Sequence, residues 1–164
     1  MKKQTNVTLL VQAAMIAALY VVLTYIANVL GLASQAIQVR FSEALTILPY
    51  FTSAAIPGLF VGCILANFLT GAAIPDIIFG SLATLIGAFL TRKLYRHKWL
   101  APVPPIVSNA LIIPPVLLFA YGIRPLWFSF ITVTAGEIIS CGVLGMLLLI
   151  TLEKYHIFSA KEQP

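Results

Sequence analysis

Long unbroken apolar runs, rather than an alternation of apolar and polar positions, organise this chain. A helix needs roughly 20 apolar residues to cross a hydrocarbon core, and runs of that order recur between charged or turn-forming stretches. The first extends from Val7 to Leu32. Phe41 to Thr52 is too short to span upright and predicts a short or tilted second span, ended by the turn Thr52-Ser53-Ala54-Ala55-Ile56-Pro57 before Gly58 to Gly71 continues as the third. Pro75 and Asp76 start a fourth helix to about Leu90, with proline at a helix start and an acid favoured by the N-terminal dipole. A fifth runs from about Pro105 to Tyr121 and a sixth from Leu126 to Leu152, before a polar tail from Glu153 to Pro164. The pattern predicts an all-α integral membrane protein, one domain of six transmembrane helices over residues 1–164.

Composition strengthens that expectation. Of 164 residues 60% are hydrophobic and 9% charged, and the mean hydropathy is +1.01, which leaves too little polar surface to coat a water-soluble particle. The alternative of a signal peptide cleaved near Leu32-Ala33-Ser34-Gln35-Ala36 fits poorly, because the first run is long enough to span and more spans follow it. Cys63 and Cys141 both fall inside apolar segments and read as small buried residues, so neither a disulfide framework nor a metal pair is expected. Ala-Ala-Ile-Pro occurs at 54–57 and again at 72–75, too little to make an internal repeat.

Charge orients the helices, since Lys and Arg accumulate in cytoplasmic loops. Six spans put both termini on one side, with Lys2, Lys3, Arg92, Lys93, Arg96, Lys98, Lys154 and Lys161, and leave Arg40 and Arg124 opposite. A multi-pass protein of the cell membrane with cytoplasmic N- and C-termini follows. The net charge of +5 is accounted for by this bias and by contact with anionic lipid, so the partner is the bilayer and not nucleic acid.

Ionisable groups inside a bilayer cost roughly 2.5–3.5 kcal/mol on insertion scales and mark functional positions. Glu137 lies about eleven residues into the sixth span, ~16 Å deep at ~1.5 Å per residue, beside a notch made by Gly136 and Ser140. Asn67 and Asn109 are either its interhelical partners or cavity residues, and Pro114-Pro115, one turn after Asn109, loosens the local backbone. Toward the outer face, Arg40 and Glu43 are three residues apart and can pair with each other, and Asp76 opens the fourth span as either a helix cap or part of an acidic pocket. Such a pocket suits a cationic or donor-rich ligand. In the first span, Ala13/Ala17 and Ala14/Ala18 form small-xxx-small strips that allow close helix approach, and Gly58/Gly62 form another.

The segments Ala36-Ile37-Gln38-Val39-Arg40-Phe41-Ser42-Glu43-Ala44-Leu45-Thr46, Ile56-Pro57-Gly58-Leu59-Phe60, Pro75-Asp76-Ile77-Ile78-Phe79-Gly80 and Gly136-Glu137 together resemble the QueT family, substrate-binding S components of energy-coupling factor (ECF) transporters assigned to queuosine precursors. The resemblance implies an ECF S-component-like bundle that takes substrate from outside and works with a coupling transmembrane subunit and two ATPase subunits. ATP hydrolysis then belongs to the partners, and the chain is neither an enzyme nor the holder of a cofactor. It also implies that Ala13, Ala14, Ala17 and Ala18 match the family's docking face for the coupling subunit. Queuine or 7-aminomethyl-7-deazaguanine offers a guanine-like donor edge, an O6 acceptor and an ammonium. Glu137 is expected to take the donor edge, Asp76 or Glu43 the ammonium, and Asn67, Asn109 or Arg40 the O6, with Phe41, Tyr50, Phe68 or Phe79 stacking on the ring. An intramembrane enzyme is disfavoured because neither His-Glu-x-x-His nor Gly-x-Ser-x-Gly occurs, and His97 and His156 lie on the cytoplasmic side. A stand-alone transporter coupled to protons through Glu137 is the alternative.

Overall fold

In the computed structural model, described for residues 6–32, 39–94 and 96–158, six helical segments pack into one bundle. Helix α1 is Asn6–Val29, followed by a 3-10 helix at Phe41–Tyr50, then α2 Ala55–Leu69, α3 Ile74–Lys93 and α4 Val103–Tyr121. The last pass begins as α5 Leu126–Glu137, widens into a π-helix at Ile138–Leu144 and returns to α-geometry as α6 Gly145–Lys154. Lys2, Lys3, Lys161 and the stretch Ala36-Ile37-Gln38 lie outside the described residues.

Four stretches are long and apolar enough to cross a bilayer, Asn6–Val29, Ile74–Lys93, Lys98–Tyr121 and Leu126–Lys154, while Ala55–Leu69 is a shorter apolar helix. At 1.5 Å per residue α2 covers only ~22 Å. The 3-10 helix, at ~2 Å per residue, covers ~20 Å. The sequence-based expectation of six helices therefore holds in number, with two of them shorter than the membrane is thick.

The short 3-10 helix is enclosed rather than lipid-facing: every residue from Ser42 to Tyr50 is buried. Its sequence explains both facts. Ser42, Glu43 and Thr46 would be costly against lipid, and Thr46 Oγ1 donates back to the Glu43 carbonyl at 2.6 Å. Three residues per turn also stacks Glu43 above Thr46 on one edge, which is the edge facing the π-helix.

The bundle is apolar outside and small or polar inside. Large side chains such as Leu10, Met15, Phe68, Ile74 and Phe119 are exposed, whereas Ala, Ser, Thr and Asn fill much of the interior. A water-soluble protein of this size does not leave such a surface uncovered, and close packing through small residues is how helices associate in lipid. Gly58 and Gly62 supply it between α1 and α2: a Cβ on Gly58 would lie 2.7 Å from the Ala13 carbonyl oxygen, and one on Gly62 would lie 3.0 Å from Ala17 Cα. The glycine strip and one alanine strip seen in the sequence thus meet each other.

The two ends differ in charge. At one, Lys98 Nζ is 3.3 Å from Glu153 Oε2, Tyr50 donates to Glu153 Oε1 at 3.2 Å and Arg92 donates to the Pro49 carbonyl at 3.3 Å. At the other lie Arg40, Asp76 and Tyr121, around a cavity. Trp99 and Trp127, both exposed, sit toward opposite ends, as interfacial tryptophans do.

Candidate functional site

The cavity has a volume of about 250 Å³ and is walled by Thr24 and Asn28 of α1, Arg40, Asn67 and Thr70 of α2 and its end, Asp76 of α3, and Leu117 and Tyr121 of α4. Arg40, Asn67 and Asp76 come to one cavity although they are spread over three segments of sequence.

Asp76 is no helix cap. The N-cap position of α3 is Ala73, with Asp76 in the first turn and 4% exposed. Tyr121 donates to its Oδ2 at 3.4 Å, and its Oδ1 has no hydrogen-bond partner among the described residues. Gly80, one turn on, keeps the wall thin: a Cβ there would lie 3.4 Å from Asn67 Nδ2 and 3.6 Å from Asp76 Oδ1. Asn67 itself is buried and donates to Cys63 Sγ at 3.5 Å.

Arg40 stands between two acids. Both Asp76 and Glu43 lie within electrostatic reach of its guanidinium, so the Arg40–Glu43 pair allowed by their spacing is shared with Asp76. Asp76 is correspondingly less uncompensated than the sequence suggests. The Arg40 backbone N–H donates to Ser140 Oγ at 3.2 Å, which ties the start of the 3-10 helix to the last pass and occupies the hydroxyl of the Gly136/Ser140 notch.

Beneath the cavity is a second polar group. Tyr20 of α1 donates a hydrogen bond to Glu43 Oε1, while Glu43 Oε2 has no partner among the described residues. Cys141 Sγ donates to Glu137 Oε2 at 3.1 Å, and Thr46 Oγ1 lies 3.3 Å from the same sulfur. Asn109, 4% exposed on α4, interacts with both carboxylates. Glu43, Glu137 and Asn109 are therefore one cluster. Glu137 is only partly buried and immediately precedes the π-helix, a geometry concentrated at functional sites.

Of three buried side-chain oxygens without a partner among the described residues, two are carboxylate oxygens of this site, on Glu43 and Asp76, and the third is Ser129 Oγ. Leaving a buried charged oxygen unpartnered costs more than the ~1–3 kcal/mol of a neutral group. The arrangement suits a ligand that brings donors.

The expected stacking partners fare less well. Phe68 and Phe79 are 69% and 48% exposed and face outward, and Tyr50 is bonded to Glu153 at the far end. Phe41 alone remains near Arg40, partly buried. Tyr20, Tyr121 and Cys141 enter the site without having been singled out for it, since a tyrosine or cysteine within an apolar run carries no signal of which way it faces. On α1, Ala17 is buried and Ala13 half-buried against α2, whereas Ala14 and Ala18 are exposed.

Apolar helices around a cavity lined by polar side chains place the molecule among multi-pass helical membrane proteins, and the comparison with known families names the class as transporter. The chain belongs to the QueT transporter family, whose model matches residues 10–154. It is 36% identical over 77 residues to the queuosine precursor transporter QueT of Lactococcus lactis subsp. cremoris (strain MG1363), a match covering 47% of this chain and 45% of that protein. The matched stretch thus spans less than half of the relative's length. No solved structure matches.

Proposed function

We propose that this chain is the substrate-capture subunit of an ECF-type uptake transporter for a queuosine precursor, queuine or 7-aminomethyl-7-deazaguanine. Both termini lie in the cytoplasm and the cavity opens outward. The relative's printed substrate and the family resemblance support the ligand class. The observation that carries the reading is the pair of unpartnered carboxylate oxygens, Asp76 Oδ1 and Glu43 Oε2, with Arg40 drawn to both acids.

Asp76 takes the guanine-like donor edge from the cavity wall, where two N–H groups can meet one carboxylate. Arg40 and Asn67 donate to O6. The aminomethyl ammonium points down toward Glu43, with Asn109 and Glu137 completing the acidic floor. This exchanges the donor-edge role expected for Glu137 with that of Asp76, because Asp76 is the acid that lines the cavity. Ala14 and Ala18, the exposed members of the alanine strips, form the face on which the coupling subunit docks, and the ATPases supply the energy.

Binding of queuine, the aminomethyl deazaguanine, guanine and riboflavin to the purified chain tests the ligand. The deazaguanines should bind at least tenfold more tightly than guanine, which lacks the ammonium, and riboflavin should not bind. Equal affinity for all four would contradict the reading. Uptake that survives loss of the ATPases but not an uncoupler would favour the proton-coupled alternative.

A further inference from the structure

We propose that Glu43, Glu137 and Cys141 form a site for a thiophilic divalent cation of the Zn²⁺ class. Their donor atoms all lie within 4.8 Å of one another, and the Cys141 sulfur is already 3.1 Å from Glu137 Oε2. On a tetrahedral Zn²⁺ with Zn–S of about 2.3 Å and Zn–O of about 2.0–2.2 Å, sulfur and oxygen donors sit about 3.5 Å apart. Side-chain adjustments of about an ångström would bring all three onto one ion.

An independent observation points the same way. Glu43 is 3% exposed, yet its Oε2 has no hydrogen-bond partner among the described residues. Tyr20 already serves the other oxygen. Two carboxylates and a thiol offer mostly acceptors, so what would satisfy them is a cation, and the Arg40 guanidinium is shared with Asp76.

The donor set selects the ion. Mg²⁺ and Ca²⁺ prefer all-oxygen shells, whereas a sulfur donor favours Zn²⁺ or Cd²⁺. Three protein donors leave a fourth position open, the pattern of exchangeable rather than structural sites. On binding, the S–H bond breaks, a metal–sulfur bond forms, and the thiol proton goes to the buffer, carried out with the hydration water that the cation sheds. A supporting shell is present: Thr46 lies 3.3 Å from the sulfur, Tyr20 orients Glu43, and Asn109 interacts with both acids. Groups of this kind hold metal ligands in place. Since Glu43 also faces the proposed ammonium position, metal and deazapurine exclude each other, but metal binding itself does not depend on the deazapurine reading.

Titration of the purified full-length chain in detergent with Cd²⁺ alone tests the site through the ultraviolet thiolate-to-cadmium charge-transfer band. One equivalent should generate the band. It should vanish in Cys141→Ser and persist in Cys63→Ser, because Cys63 is engaged instead with Asn67 and Thr84, each at 3.5 Å. Glu137→Gln keeps the thiol, and should weaken Cd²⁺ binding at least tenfold and abolish any Cd²⁺-induced rise in melting temperature. A folded wild type without the band, a band that survives Cys141→Ser, or undiminished affinity in Glu137→Gln would each overturn the proposal. These results are separable from the deazapurine measurements, which are made without metal.

Discussion

Tyr121 at the end of α4 bridges to the start of α3: its hydroxyl donates to Asp76 Oδ2 at 3.4 Å and accepts from the Ala73 backbone N–H at 2.9 Å. The bridge holds one carboxylate oxygen of Asp76 and leaves the other without a hydrogen-bond partner among the described residues. It also satisfies a backbone donor at the helix N-terminus, where N–H groups otherwise lack partners.

Tyr121→Phe removes both bonds while keeping the ring. Deazaguanine affinity should fall about three- to tenfold, in line with ~1 kcal/mol for a hydrogen bond, with a small change in melting temperature. Calorimetric titration beside a thermal melt checks both, and an unchanged affinity would show that Asp76 needs no such positioning.

Two glycines on α3 should respond differently to alanine. A Cβ on Gly87 would lie 2.8 Å from Pro105 Cα, so Gly87→Ala overpacks the α3–α4 contact and should destabilise by about 1–3 kcal/mol. At Gly80 the contacts begin at 3.4 Å, so the fold should tolerate alanine. The new methyl group would instead lie in contact with Asn67 Nδ2 and Asp76 Oδ1, shield both from a ligand and lower its affinity. Thermal melts and ligand titrations on the pair should show opposite losses; a melt unchanged in Gly87→Ala would contradict the packing account.

Replacing Ala14 or Ala18 by leucine should leave the bundle intact, because both side chains face outward. Close approach of a partner helix would be blocked. Uptake in cells should fall while binding by the isolated chain persists. Normal uptake in both variants would remove these alanines from the docking face.

The helices were legible in the sequence because each buries or exposes a long apolar run: Val7–Leu32 became Asn6–Val29, and Leu126–Leu152 became one continuous pass. The 3-10 geometry of Phe41–Tyr50 was not, since local propensity does not tell a tilted α-helix from a tighter one held by Thr46 and its neighbours. Membrane cost alone directed attention to Glu43, Asp76, Asn67, Asn109 and Glu137, and the structure gathers them around one polar interior. Pairing was harder to read. Arg40 and Glu43 are neighbours in sequence, yet Arg40 also lies within electrostatic reach of Asp76, and Cys141 meets Glu43 across 98 positions. Phe68 and Phe79 were plausible stacking partners only until the rotation of α2 and α3 turned them outward.

The central claim is that the buried acids are kept for a ligand, and Asp76→Asn tests it most directly. The change preserves shape and removes a charge, and Glu43 remains to face Arg40. Loss of a charged acceptor typically costs about 1.5–3 kcal/mol, so affinity for the aminomethyl deazaguanine should drop at least tenfold while the melting temperature of the unliganded protein holds. A lower melting temperature with unchanged affinity would contradict the account, because Asp76 would then serve an interhelical ion pair with Arg40 and not the cavity's ligand.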